Sequence, residues 1–392
     1  MPLEGMTVVS IDQAVAAPLA ARHLADLGAR VIKVERPDGG DFARGYDAAV
    51  RGEASHFVWL NRGKESIAVD LKAAEGQDVL TRLLAKADVF LHNLGPGAVE
   101  RLGFGAEELL ARHPSLVVCT MSGYGSTGPY RDKRAYDLLV QSEAGLVSLT
   151  GTPDHPAKAG IPVADIAAGM YALTNILGAL MHRVRFGGAG AVIEVTMFDA
   201  LVEWMGHPIL VTDHTGAQPP RVGLSHPVIA PYDAYPTSDG HEVVLGIQND
   251  REWVRLATEV LGDPSLAVDP DYATNVARVR NREKVDGVVG AAMSRLTIDE
   301  AVDALDRARI ASARLNTIAD VLDHPQLVAR DRWRQVRTPV GTIRGLRSAV
   351  EPVGEVPLAE VPSLGQHTDA ILAEIGLNAE EVHQLRNRGV VA

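Results

Sequence analysis

Asp165 is the one charged residue in the stretch AGIPVADIAAGMYA (residues 159–172), whose other members are alanine, glycine, larger apolar side chains, one proline and one tyrosine. An ionised carboxylate buried without partners is costly, so its presence needs a reason. A helix N-cap is one reason: the carboxylate would accept a backbone N–H where the apolar segment starts. Covalent chemistry is the other, since a poorly solvated carboxylate is a better nucleophile, and Asp and Glu do form covalent intermediates. A second set of chemically capable residues precedes it. Arg36, Arg44, Lys72, Arg101 and Arg134 lie on loops at the ends of short apolar runs. Singly, each reads as a solvated side chain. Gathered along one sheet edge, they would bind an extended, phosphate-like anion, because guanidinium groups fork onto such oxygens.

Other chemistries lack their residues. The segment SIDQAVAAPLA after the first apolar run has no glycine, which removes the nicotinamide-dinucleotide fingerprint despite Glu35 at the end of the next run. The phosphate-binding pattern of P-loop enzymes is absent. The 13 histidines are scattered and none recur at i, i+4, so no metal site is expected. No G-x-S-x-G elbow occurs, and Ser126 in GYGST reads as a turn residue. His226, followed by Pro227, reads the same way.

The bulk properties narrow the class further. With 392 residues the chain is long for one simple core, and 46% hydrophobic with 22% charged residues is ordinary for a globular protein. Lys plus Arg number 38 against 50 Asp plus Glu, a net charge of −12 that argues against a nucleic-acid partner while leaving room for a local basic pocket. The single Cys119 permits no intrachain disulfide and fits a reducing compartment. The start MPLEGMTVVSIDQ lacks the features of a signal peptide, and no window approaches eighteen uninterrupted apolar residues. A cytoplasmic protein with no membrane span is expected.

The elements that must position these residues alternate. MTVVSI, ARVIKVE, DVFLHNL and SLVVCTMS read as strands; APLAARHLADLG, GQDVLTRLLAKA and AEELLARHP read as helices. Short strands separated by helices imply an α/β fold on a parallel sheet, whose ligands gather beyond the carboxyl ends of the strands. Those ends are DQAVAAP, ERPDGGDFAR, HNLGPGAVER and SGYGSTGPYRDKRAYD. Residues 1–213 are expected to form the first part of a large domain. The proline-bearing stretch 214–240 reads as a connector, and 241–325 as a smaller α+β domain with Asn249 and Thr297 as helix N-caps. Residues 326–392 read as a second connector followed by C-terminal helices.

The chain resembles the family III CoA-transferases, the group that includes formyl-CoA and carnitine CoA-transferases and several dicarboxylate CoA-transferases. The resemblance covers nearly the whole length. It rests on LADLGARVIKVERPDGGDFAR, LNRGKESIAVDLK, ADVFLHNLGPGAVERLG, SGYGSTGPYRDKRAYDLLVQSEAGLVSLTG, DIAAGMYA and LGQHTDAILAEIGL, in that order. It implies an interlocked homodimer of chains with a Rossmann-like large domain, built from both chain ends so that the C-terminal part of 326–392 returns to it, plus the smaller domain. It also implies Asp165 as the nucleophile. The implied CoA site comprises Val15 and Ala16, Arg36, Val69, Asp70, Leu71 and Lys72, then Asn93, Leu94, Gly95 and Arg101, then Arg134, Ala135, Tyr136 and Asp137. Arg36 and Arg101 would serve the nucleotide or phosphates. Arg134 stands where formyl-CoA transferase has lysine, and Val15 where it has glutamine.

Two departures bear on substrate. The polyglycine loop of formyl-CoA transferase is replaced by GLSHPVIAPYDAYPTSDG, which argues against oxalate. The related 2-methylacyl-CoA racemases place a histidine before the aspartate matching Asp137; here it is Tyr136, a poor near-neutral base. The resemblance implies CoA transfer, with succinyl-CoA as donor, to a C4–C5 dicarboxylate such as itaconate, mesaconate, malate or citramalate. Arg221 or His226 would hold its far carboxylate. Coenzyme A enters as a thioester substrate, with no permanently bound cofactor. The alternatives are intramolecular C1–C4 CoA transfer on mesaconyl-CoA, the racemase, and a CoA-binding regulator without activity.

Overall fold

The computed structural model describes residues 1–350 and 360–392. Residues 351–359, part of the second proline-bearing stretch, lie outside the described residues. The chain divides into two compact units. The first takes Met1–Leu146, Ala159–Ile209 and Leu327–Ala392; the second takes Val147–Lys158 and Leu210–Gln326.

A parallel six-stranded sheet organises the first unit. Its strands are β1 (Thr7–Ile11), β2 (Arg30–Glu35), β3 (Lys64–Ala68), β4 (Val89–His92), β5 (Val117–Ser122) and β6 (Ala191–Thr196), in spatial order β3-β2-β1-β4-β5-β6. Val8 of β1 is flanked by Val31 and Val89, and the buried, β-branched character of these strands follows from cover on both faces. The order reverses between β1 and β4, which opens a crevice at their carboxyl ends. Edge strand β3 is not legible as a strand in the sequence because KESIA opens with two charges. The C-terminal segment secures it: Ser66 N–H donates to His367 Nδ1, Ala68 N–H to Thr368 Oγ1, and Asp70 N–H to the Val390 carbonyl.

Helices α1 (Ala16–Asp26), α2 (Ser55–Asn61), α3 (Ala74–Leu84), α4 (Ala98–Arg101), α5 (Ala106–Arg112) and α6 (Asp137–Glu143) follow the strands and loops. A single turn, α7 (Leu146–Leu149), precedes the long α8 (Val163–Phe186). By length and composition α8 could cross a membrane. Here its small face, Ala164, Ala167, Ala168 and Ala172, is buried in one cluster with Ala16, Ala17, Ala20 and Ala21 of α1. Gly169 sits at the contact, where an added Cβ would come within 2.7 Å of the Ala16 carbonyl oxygen. The alanine-rich sequence thus lets two backbones approach, and that approach sets Asp165 beside the start of α1.

Charge is buried around Asp12 and Glu35, at the carboxyl ends of β1 and β2. The Lys33 ammonium donates to the Asp12 carboxylate and, at 2.9 Å, to Asp41. Lys64 donates to Asp12 and to Asn61, each at 2.8 Å. Glu35 accepts from Arg44, from Ser66 Oγ and from the Asp41 N–H. Burial alone would raise the Asp12 pKa, but Lys33 and Lys64 outweigh it and hold it at about 2. Burial lowers Lys64 to about 8 in spite of Asp12.

The second unit has its own core. Antiparallel strands β7 (Tyr232–Pro236), β8 (Glu242–Gly246) and β9 (Ala311–Arg314) pack with helices whose Trp253, Val289, Met293 and Leu305 are buried. The proline-bearing stretch 214–240 therefore contains a strand. Asn249 and Thr297 both cap helices, Thr297 in a reciprocal capping box with Glu300.

Two glycines of α8 should respond oppositely to alanine. At Gly178 an added Cβ meets nothing, so helix propensity alone should stabilise by about 0.5–1 kcal/mol. At Gly169 the backbone clash should destabilise by about 1–3 kcal/mol. Denaturant titration of G169A and G178A checks this; equal shifts would mean that α1 and α8 are not in close contact.

Candidate active site

Asp165 lies in the first turn of α8, but it does not cap the helix. The N-cap position is Pro162, which offers no side-chain acceptor. Asp137, the first residue of α6, supplies one instead: its Oδ1 accepts the Ala164 N–H at 2.8 Å and the Asp165 N–H at 3.4 Å. Its Oδ2 accepts from Gln141 Nε2 at 2.6 Å. The Asp165 carboxyl itself has no hydrogen-bond or ion-pair partner among the described residues. A helix start favours a nearby negative charge by about 0.3–1 kcal/mol. Burial and the Asp137 charge oppose this and win, raising the Asp165 pKa from the ordinary 3.8 to about 7.

The Asp165 carboxyl borders a cavity of about 520 Å³ in the first unit. Val15, Ala16, Asn93, Leu94, Gly95, Arg134, Ala135, Tyr136 and Asp137 also line it. A neighbouring cavity of about 310 Å³ is lined by Arg36, Val69, Asp70, Leu71, Lys72, Leu94 and Arg101. Gln13 and Leu94 border both. Every residue of the expected CoA site therefore faces one of two adjoining hollows. The loops between them are clasped together, because Asn93 Oδ1 accepts the Gln13 N–H at 2.9 Å and Asn93 Nδ2 donates to the Gln13 carbonyl at 2.8 Å. Ala14 takes a left-handed φ of 62°, held by its N–H bond to Asp41 Oδ1.

Other basic candidates fare differently. Arg44 lines neither cavity: it forks onto Glu35 and lies 3.7 Å over the Phe57 ring, so its role is in the core. Arg221 belongs to the second unit, where its guanidinium donates to the carbonyls of Ser148, Thr152 and Pro153. His226, in the same unit, stacks on Tyr232 with ring centroids 5.4 Å apart. Among the described residues no cluster of His, Cys, Asp or Glu could hold a metal ion.

The Asp165 cavity also contains residues that sequence reasoning passed over: Tyr46, His56, Tyr124 and Met197. Tyr124 lies in the quoted SGYGSTGPYRDKRAYD loop without a mark of its own. The segments of Tyr46 and His56 carry no periodic or motif signal, and only the loop after β2 and the start of α2 bring those two to this wall. Burial, with smaller contributions from Asp41, Asp165 and Tyr136, pushes the Tyr46 phenol up to about 12.

A parallel α/β sheet with a strand-end crevice and an unpartnered aspartate defines a class that comparison with known proteins makes specific. The chain belongs to CoA-transferase family III, whose family model matches residues 3–368. It is 35% identical to a succinate–glutarate CoA-transferase of Agrobacterium fabrum, with 95% of this chain and 96% of the relative covered. A succinyl-CoA–D-citramalate CoA-transferase of Chloroflexus aurantiacus is 33% identical, over 100% of this chain and 98% of its own. The crystal structure of a CAIB/BAIF family protein from Brucella suis superposes with a TM-score of 0.85 at 36% identity, covering 96% of this chain and 99% of that one.

The raised pKa of Asp165 has a consequence for stability. A carboxyl whose pKa is higher folded than unfolded binds the proton more tightly when folded, so stability falls as pH rises from about 4 to about 7. Above that window the buried charge costs at most a few kcal/mol. Asp165→Asn should therefore raise stability at pH 8 and change it little at pH 4, measured by urea unfolding at both. A variant less stable at pH 8 would contradict the unpartnered carboxylate.

Proposed function

We propose that the protein moves CoA from an acyl-CoA, succinyl-CoA in particular, to a C4–C5 dicarboxylic acid through a covalent thioester on Asp165. One observation carries the reading: an Asp165 carboxyl without a partner borders a cavity that adjoins a second one lined by Arg36, Lys72 and Arg101. The names of the succinate–glutarate and succinyl-CoA–D-citramalate relatives support the substrate class.

The chemistry follows from the placement. The CoA nucleotide and phosphates lie against Arg36, Lys72 and Arg101, where forked or point-charge contacts suit phosphate oxygens. The pantetheine arm passes Gln13 and Leu94 toward Asp165. An Asp165 oxygen attacks the thioester carbonyl, the C–S bond breaks, and CoA leaves as thiolate from a mixed anhydride. The thiolate then attacks the Asp165 carbonyl carbon, releasing the donor acid as its carboxylate and forming aspartyl-CoA. An acceptor carboxylate attacks that thioester, and the thiolate returns to the acceptor's carbonyl in the new anhydride, regenerating Asp165. Each step exchanges one acyl bond for another, so no general acid is needed. Water must be kept out, since it would discharge either intermediate.

Initial rates with succinyl-CoA against glutarate and citramalate test the proposal. Where the donor acid leaves before the acceptor binds, a covalent intermediate gives ping-pong kinetics, seen as parallel double-reciprocal lines. Asp165→Asn should lower kcat on the order of a thousandfold or more while acyl-CoA binding persists, because a reacting group is lost and little volume changes. Intersecting lines together with near-normal turnover of the Asn variant would overturn it.

A further inference from the structure

We infer that His56, with Tyr46 beside it, docks the far carboxylate of a dicarboxylic substrate whose near carboxyl group reacts at Asp165. The inference rests on the transferase reading above and names a determinant of its substrate class.

A diacid brings two charges into the cavity, and only one is consumed at Asp165. The other stays ionised and needs a donor in a partly desolvated space. Of the basic groups on the cavity wall, Arg131 is paired with Asp132 at 3.1 Å. Lys133 is paired with Glu143 and lies 4.1 Å over the Tyr130 ring. Arg134 sits three residues from Asp137, on the segment assigned to CoA. His56 remains.

Its setting suits the task. His56 is in the first turn of α2, and the start of that helix is held by Asp47, which accepts the Ser55 N–H at 2.9 Å and the Ser55 hydroxyl at 2.7 Å. The His56 Nδ1 is buried without a hydrogen-bond partner, 3.9 Å from Asp47 Oδ2. That carboxylate is too distant for a hydrogen bond, so it does not occupy the ring nitrogen. The side chain is 41% exposed, so with Nδ1 buried the other nitrogen, Nε2, is the one open to a ligand. The ring packs edge-on against Tyr46, with centroids 5.5 Å apart and planes at 84°. Phe42 lies 5.7 Å beyond Tyr46, so three rings, Phe42, Tyr46 and His56, form one wall of the cavity. Tyr46 links this wall to the reacting centre: Asp165 is among the charges that keep its phenol protonated, hence a donor. An acid with a charge at each end spans Asp165 and this wall. A monoacid leaves the wall unused.

Donor and acceptor acids occupy the same place in turn, so the loading half-reaction suffices as a test. Succinyl-CoA and butyryl-CoA have acyl chains of equal carbon number and differ in the far carboxylate. The rate at which each loads Asp165 is followed by mass spectrometry of the intact protein, and the ratio of the two is read within each preparation. A partly inactive sample lowers both rates and leaves the ratio in place. The wild type should favour succinyl-CoA. His56→Gln should reduce that preference about tenfold, the worth of one charge-assisted contact, and His56→Arg should restore it. An unmoved ratio in His56→Gln, or a ratio that Arg fails to restore, would overturn the inference about His56 alone. Failure of the wild type to load with either thioester would instead remove the transferase reading on which it rests.

Discussion

The start of α8 is capped by a carboxylate from another helix, and the site depends on that substitution. Pro162 cannot cap, so the Ala164 N–H would be left bare at the wall of a cavity. Asp137 fills the gap from α6, and in doing so fixes the RAYD segment against the helix that carries Asp165. Two carboxyl groups then share one helix start, and only one receives the amide bonds. Asp137 is satisfied by N–H groups and serves as the cap. Asp165 is left to burial and to its neighbour's charge, which raise its pKa to about 7. A division of labour between two nearby carboxyls is set by which one is hydrogen-bonded.

The same economy of partners runs through the sheet's carboxyl edge. Asp12, Glu35 and Asp41 are buried with Lys33 and Lys64 and with the half-buried Arg44, three anions against three cations. Paired ions of this kind add little net stability over an apolar core, but removal of one member strands another. What they contribute is position. Asp41 bonds the Ala14 N–H and holds a left-handed residue in the loop between β1 and α1, while Asn93 clasps the adjacent Gln13. The loops beside Asp165 are thereby tied to the interior rather than left to solvent.

Four of the six strands were legible as β-branched runs between helical patterns, while β6, AVIEVT, has the same character and went unread. Strands β1, β2, β4 and β5 all have that form. Strand β3 escaped because Lys64 and Glu65 look like surface residues, and the buried Lys64 is satisfied by Asp12, just past β1, and by Asn61, at the end of α2. Asp165 stood out because a lone charge in an alanine-rich segment is anomalous in any fold. Its N-cap reading could not be decided locally, since the actual cap comes from residue 137. Arg44 shows the converse limit: its type and loop position match an anion-binding arginine, yet Glu35 and Phe57 claim it. Tyr46 and His56 had no signal at all. Their placement is a product of the chain path between β2 and β3, which periodicity does not encode.

The central claim is that Asp165 becomes a thioester, and a chemical mark reads it most directly. Protein held with succinyl-CoA and no acceptor, then quenched with hydroxylamine, should carry a hydroxamate on Asp165, identified by the mass of the peptide that contains it. A thioester reacts with hydroxylamine in this way, whereas a free carboxyl group does not. A mark on a different residue, or an unmarked Asp165 in a preparation that transfers CoA in the same tube, would contradict the account.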